Sequence, residues 1–120
     1  MFAFTIKNKP TIFDLSNGGY ANGYVAIPKN HCLYGTDYMD INLTVNINVH
    51  SGLTFSNEMT VKEIDSLADK IVAGDTNTLK PEDTFWVLGF DTRHFNDNLE
   101  NCPKSYCEQE TLNLYNQIKG

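Results

Sequence analysis

The sequence predicts one α+β domain over residues 1–120, with a mostly antiparallel β-sheet and two helices packed on one of its faces. Residues 2–7 and 42–49 alternate apolar and polar side chains, and this period is typical of strands that bury one face in an antiparallel sheet. Two later segments, beginning after Thr60 and after Ser105, place apolar residues at helical spacing. A chain of 120 residues is long enough for one hydrophobic core and too short for two.

The first third of the chain is predicted to form short strands separated by turns. The alternation over residues 2–7 ends before Pro10, and residues 11–15 are predicted to form a returning strand that a turn at 16–19 follows. Residues 24–27 form another short strand, stopped by Pro28. A polar and aromatic loop follows it.

The most regular alternation lies at residues 42–49. Its expected core face consists of Leu43, Val45, Ile47 and Val49, and the residues between them are polar. The pattern predicts a strand with one solvent-exposed face. Ser51-Gly52 interrupts its continuation and predicts a bulge or a bend, because glycine weakens a strand interior.

Two helices and a buried strand are predicted in the second half. A capping box at Thr60 opens the first helix, whose apolar residues recur up to Val72 before Gly74 ends it. The continuous apolar run Phe85–Phe90 predicts a strand over Thr84–Asp91 that is buried on both faces. A second capping box at Ser105 opens the closing helix, which carries Leu112, Tyr115 and Ile118 on one face.

The composition excludes several classes of function. The net charge of −6, from 9 basic and 15 acidic side chains, argues against direct binding to nucleic acid or to an anionic membrane. No apolar run approaches the roughly 18 residues that a membrane helix needs, and the amino terminus has no signal-peptide pattern. We therefore expect an intracellular protein with no membrane partner.

Three cysteines, Cys32, Cys102 and Cys107, are expected to be free thiols, since an odd count without a secretory signal is typical of intracellular proteins. Cys102 and Cys107 are five positions apart, which is wider than the paired spacing of zinc ligands, and no second pair exists. The sequence predicts no structural zinc and no cofactor.

Histidines and aspartates cluster in loops and at predicted strand ends, where binding residues are common. If the strands around Tyr24, His50 and Asp91 are neighbours, these side chains converge at one edge of the sheet. The expected ligand-binding residues are His31, Tyr34, Asp37, His50, Thr54, Asp91, His94 and Asp97. For a binding protein we predict no metal; for an enzyme, His50, Asp91 and His94 are the candidate ligands of a divalent transition metal.

Each candidate also has a structural interpretation. A lone histidine is more often hydrogen-bonded at the surface than a ligand, and Asp37 can start a helical turn. The same residues could act as general acid and base, because histidine titrates near neutrality. The chain has no P-loop, dinucleotide fingerprint, zinc-protease helix motif or nucleophile elbow, so no motif establishes an enzyme.

Four segments together resemble a family of small, mostly uncharacterised bacteriophage and prophage proteins. They are GYVAIP at residues 23–28, HCLYGTDY at 31–38, VHSGLTFS at 49–56 and GFDTRHFND at 89–97. The sequence departs from the family at Cys32, where proline is usual, and at Ser51, where a second glycine is usual. The resemblance implies an accessory protein of the host cytoplasm that counters antiviral defence.

Three functions follow as hypotheses. The first is binding, and thereby sequestering, a small polar ligand that is nucleotide-derived. The second is a metal-dependent or acid–base hydrolase of a nucleotide signal. The third is an inhibitor whose acidic surface binds a basic groove of a host defence protein. The oligomeric state is left open.

Overall fold

The computed structural model describes residues 1–9 and 18–120. The elements in chain order are β1 (Phe2–Lys7), β2 (Ala21–Ile27), α1 (Tyr38–Thr44), β3 (Phe55–Thr60), α2 (Val61–Leu67), β4 (Lys70–Gly74), β5 (Thr84–Phe90) and α3 (Lys104–Lys119). The five strands form one antiparallel sheet in the order β3-β5-β2-β1-β4. The predicted α+β class is confirmed. The returning strand expected at 11–15 and residues 16–17 of the turn after it lie outside the described residues.

The sheet is covered on both faces. Alternate residues of β1 belong to different clusters: Ala3 packs with one set of core residues, and Phe2 and Phe4 pack with another. Helices α1 and α3 cover the first face through Ile41, Leu114 and Ile118, while α2 covers the opposite face through Val61 and Ile64. The two helices that share a face are therefore α1 and α3. The two helices predicted to share it, α2 and α3, lie on opposite faces of the sheet.

The strand β5 has the burial that the sequence predicts. β5 lies between β3 and β2, and its residues 87–90 are all buried. β2 pairs with it from Gly23↔Phe90 to Ile27↔Trp86. Because these strands run in opposite directions, the last residue of β2 lies beside the beginning of β5, at the same end of the sheet. This relationship decides which loops can meet.

The strand predicted at residues 42–49 is wrong. Residues up to Thr44 belong to α1, residues 45–49 form no strand, and Leu43 is 83% exposed instead of buried. The Asp37 carboxylate caps α1 by accepting from the Met39 amide at 2.8 Å. The Asn42 side chain donates to the Leu53 carbonyl at 2.9 Å and so ties the helix to the next segment. These local polar contacts prevail over the alternating pattern.

The helix predicted to run to residue 72 is shorter. The capping box at Thr60 and Glu63 is confirmed, but α2 ends at Leu67. Residues from Lys70 form β4, which pairs with β1 through Phe4↔Ile71 and Ala3↔Ala73. Gly74 ends this strand and not the helix. Pairing with a sheet edge satisfies the backbone of these residues, and helical spacing alone does not reveal it.

The closing helix is confirmed, although its capping box is wrong. α3 begins after Pro103, which makes no side-chain capping bond. Its buried residues are Cys107, Thr111, Leu114 and Ile118, and their spacing places them on one helical face. No helix in the described part of the chain is long and apolar enough to cross a membrane.

Candidate functional site

The loop that follows β5 is fixed to the start of β2. Thr92 is fully buried, and its hydroxyl donates to the Ala21 carbonyl at 2.8 Å. Its amide donates to the Asn22 side chain at 3.0 Å. These contacts fix the backbone that follows the last residue of β5. The side chains of Asp91, His94 and Asp97 therefore project from a backbone of fixed conformation.

A tight turn brings His50 to the same place. Val49 and Leu53 are buried in the core on either side of it. Between them, Ser51 and Gly52 both have positive φ, at 57° and 79°, and the Gly52 amide donates to the Val49 carbonyl. Glycine adopts this left-handed conformation without strain. The predicted bend at Ser51-Gly52 is therefore present as a turn outside any strand.

The inner pair consists of His50 and Asp97. Nε2 of His50 lies 3.0 Å from Oδ1 and 3.1 Å from Oδ2 of Asp97. Nδ1 of His50 lies 2.7 Å from the Tyr106 hydroxyl on α3, and the His50 amide donates to Glu110 Oε1 at 2.9 Å. Only 16% of the His50 side chain and 10% of the Asp97 side chain are exposed, so this pair supports the loops from within.

The outer pair consists of His94 and Asp91. Nε2 of His94 lies 2.9 Å from Asp91 Oδ1, a distance typical of an ion pair, and this buried nitrogen makes no hydrogen bond to any described residue. Asp91 also accepts from the Thr54 hydroxyl at 3.1 Å and from the Arg93 amide at 3.2 Å. The side chains of His94 and Asp91 are 37% and 34% exposed. A ligand can therefore reach this pair from solvent.

The two pairs are connected. The His94 amide donates to Asp97 Oδ2 at 3.0 Å, and the rings of His50 and His94 have centroids 6.3 Å apart. Burial raises the pKa of Asp97, but the hydrogen bonds from His50 and from the His94 amide outweigh burial and hold the pKa below its usual range. The Asp97 carboxylate is thus anionic at neutral pH and faces both histidines.

The structure brings together five of the eight predicted site residues. They are His50, Thr54, Asp91, His94 and Asp97. The other three, His31, Tyr34 and Asp37, follow β2. The last residue of β2 and the last residue of β5 lie at opposite ends of the sheet. The expected convergence of all eight residues at one edge is therefore wrong, because β2 and β5 are antiparallel neighbours.

His31 has a structural position at the far end of α3. Its Nδ1 accepts from the Leu33 amide at 3.0 Å, so Nε2 carries the proton and donates to the Ile118 carbonyl at 3.1 Å. Ile118 is twelve residues from Tyr106 on α3, which places it about 18 Å along the helix axis. The imidazole caps the last turn and does not reach the inner pair.

Tyr34 and Asp37 also lie away from the two pairs. The Tyr34 hydroxyl donates to Glu58 Oε2 at 2.8 Å, and its ring lies against Trp86. Trp86 precedes Asp91 by five positions in β5, a separation of about 16 Å along a strand. Asp37 is the N-cap of α1, which is the structural interpretation that the sequence offered.

Sequence reasoning missed Tyr106 and Cys102. Tyr106 lies in the first turn of α3, and nothing in its spacing connects it with His50, which is 56 positions away. Cys102 is 1% exposed, and its thiol lies 3.7 Å from Asp97 Oδ1. Burial, together with the nearby Asp97 carboxylate, raises the pKa of Cys102 to about 11. Among the described residues, the donors that lie within 4.8 Å of one another belong to His50, Asp97 and Cys102, and not to the predicted set of His50, Asp91 and His94.

Comparisons of the chain with protein-family models, with curated proteins and with solved structures give no match.

Proposed function

We propose that this protein binds a small polar ligand, derived from a nucleotide, at the outer pair His94–Asp91. The observation that carries the proposal is the difference in exposure between the two pairs. His50 and Asp97 are mostly buried, while about a third of each outer side chain is open to solvent. Half-buried polar groups on a rigid support are typical of ligand sites.

The outer pair offers complementary hydrogen-bonding groups. Nδ1 of His94 makes no hydrogen bond within the described part of the chain, so it can donate to a phosphate or accept from a hydroxyl. The Asp91 carboxylate, held by Thr54 and by the Arg93 amide, can accept from ribose hydroxyls. A phosphate would depend on these local donors, because the net charge of the chain is −6.

Phe95 adds an apolar surface beside the outer pair. Its side chain follows His94 directly and is 94% exposed, which is unusual for phenylalanine. An aromatic ring in this position can stack on the flat face of a base. Protein groups that can contact a hydroxyl, a phosphate and a flat ring together favour a nucleotide derivative over a simple sugar or an inorganic anion.

The experiment is a calorimetric and thermal-shift titration of the wild-type protein with nucleosides, linear nucleotides and cyclic nucleotides. We expect at least one class to bind, with loss of binding in His94→Ala and Asp91→Asn. Asp40→Asn, which changes an exposed carboxylate on α1, is the matched control and should bind like the wild type. If no nucleotide class binds the wild-type protein, the proposal fails.

A second candidate function is acid–base hydrolysis of a nucleotide-derived signal. The specific observation is the presence of two imidazoles, each beside its own carboxylate, with ring centroids 6.3 Å apart. In such a pair the more exposed His94 can transfer a proton to or from a ligand, while His50, whose two ring nitrogens contact Asp97 and Tyr106, can act by positioning Asp97. Product formation from cyclic nucleotides, abolished in His94→Ala, supports hydrolysis, while binding without turnover supports the first proposal.

The biological context is proposed from the resemblance of the four segments to bacteriophage proteins. In that context, sequestering the ligand would counter host defence. The remaining alternative is inhibition of a host defence protein. A stable complex that survives His94→Ala, and is lost on charge reversal of surface acids such as Asp40 and Glu82, would favour it.

A further inference from the structure

Three donor groups converge behind the outer pair: His50 from the turn before β3, and Asp97 and Cys102 from the loop between β5 and α3. His50 Nε2 lies 3.0 Å from Asp97 Oδ1, and the Cys102 thiol lies 3.7 Å from the same oxygen. All three donor atoms lie within 4.8 Å of one another. We infer that His50, Asp97 and Cys102 form a site for a thiophilic divalent transition metal ion such as Zn²⁺. The inference does not depend on the proposed ligand-binding function.

The separations are close to those of a tetrahedral metal centre. Zinc bonds of about 2.0 Å to nitrogen or oxygen, and about 2.3 Å to sulfur, give ligand–ligand edges of about 3.3 to 3.5 Å. The two distances to Asp97 Oδ1 differ from these edges by a few tenths of an ångström. Small side-chain rotations of His50 and Cys102 would close the third edge. A fourth position would remain for solvent.

The groups around the donors already hold them in orientation. Tyr106 contacts Nδ1 of His50, and the His94 amide donates to the Asp97 oxygen on the other side of the carboxylate. The Cys102 amide donates to the Asn98 carbonyl. Metal-binding histidines and carboxylates usually have such outer partners, which fix ring orientation and tautomer.

The Tyr106 hydroxyl suits both the free and the metal-bound imidazole. Without metal, Nε2–H donates to Asp97 and the hydroxyl donates to Nδ1. With metal on Nε2, a neutral imidazole carries its proton on Nδ1 and donates to the Tyr106 oxygen, since a hydroxyl both donates and accepts. The imidazole keeps one proton throughout, so binding releases only the Cys102 proton.

The charge of the donors selects the kind of ion. Cys102 would bind an ion as a thiolate, so the site favours an ion with high affinity for sulfur. Mg²⁺ and Ca²⁺ prefer oxygen ligands and do not fit this donor set. The thiolate, the carboxylate and a divalent ion together are neutral, which favours an ion in a site as buried as this one.

The test is titration of chelator-treated protein with Co²⁺ and then Zn²⁺. We expect a cobalt–thiolate charge-transfer band at one ion per chain, which Zn²⁺ removes by displacement. Cys102→Ser should abolish the band, and Cys32→Ser, at the exposed cysteine, should retain it. Tyr106→Phe should weaken zinc affinity roughly 10- to 100-fold, as loss of an outer partner does.

Other results would overturn the inference. They are a wild-type protein without the band, a band that persists in Cys102→Ser, or a band that is lost only when Cys107 is replaced. Circular dichroism of Cys102→Ser separates lost binding from lost fold. If that variant is unfolded, Asp97→Asn provides the second test: its zinc affinity must fall by more than that of Tyr106→Phe.

Discussion

Nε2 of His50 lies within 3.1 Å of both carboxylate oxygens of Asp97, although 47 positions separate the two residues in the chain. This contact joins the turn before β3 to the loop after β5. The loop after β5 carries His94 and Asp91 of the outer pair, and the segment before β3 carries Thr54, which donates to Asp91. The buried contact between His50 and Asp97 therefore fixes the position of the exposed pair. Replacing the inner residues should change stability, whereas replacing the outer residues should change binding.

Asp97→Ala should destabilise the protein. It removes the acceptor for His50 Nε2 and for the His94 amide, and leaves buried donors without a partner. Such a loss costs roughly 1–3 kcal/mol per unsatisfied group. Urea unfolding of metal-free protein measures the change. Asp91→Ala, at the more exposed carboxylate, should cost less, and equal losses would contradict the division into inner and outer pairs.

The three cysteines should differ in reactivity. Cys32 is exposed, while Cys102 and Cys107 are buried, and burial raises the pKa of both inner thiols. A thiol reagent at neutral pH should therefore modify one cysteine quickly in native protein and all three in denaturant. Mass spectrometry after brief labelling identifies the site. Rapid labelling of Cys102 in folded protein would contradict its burial.

The sequence predicts elements correctly where two signals agree. β5 is both apolar along its length and bounded by polar loops, and α3 has a long apolar face. Residues 42–49 gave one strong signal, but the decisive contacts are the Asp37 cap and the bond from Asn42 to Leu53. Hydrogen bonds from a side chain to a backbone group elsewhere in the chain do not produce a periodic pattern in the sequence.

The candidate site was predictable only in part, for a reason of topology. Loops that follow strands are common places for binding residues, and this rule predicts Asp91, His94 and Asp97. Which loops meet depends on strand order and direction, and one sequence does not encode these in any short pattern. The sequence therefore does not reveal that His31 lies at the opposite end of the sheet, or that Tyr106 of α3 contacts His50.

The capping box of α2 should make stability depend on pH. Hydrogen bonds from the Thr60 amide and hydroxyl lower the pKa of Glu63 from its usual 4.5. A lowered pKa means that the stabilising contribution is present above pH 4.5 and is lost as the pH falls through the native value. Urea midpoints should show that Glu63→Gln destabilises at pH 7 and has little effect at strongly acidic pH. An equal effect at both pH values would contradict this role.

His31→Ala should lower stability without affecting ligand or metal binding. The imidazole bridges the Leu33 amide and the Ile118 carbonyl, and loss of these two bonds costs roughly 1–3 kcal/mol. Thermal unfolding measures this loss, and calorimetry at a temperature where the variant is folded measures binding. A binding defect in folded His31→Ala would show that His31 contributes to ligand or metal binding, and would contradict this prediction.

Phe95→Ala should weaken binding of a base-containing ligand while leaving stability unchanged. The ring is 94% exposed, so its removal uncovers no core, and surface substitutions of this kind usually change stability by less than about 0.5 kcal/mol. Stacking on a base contributes roughly 1–3 kcal/mol, so affinity should fall about 5- to 150-fold. Phe95→Tyr keeps the aromatic face and is the matched control. Comparable weakening in both variants, or in neither, would show that no base stacks on this ring.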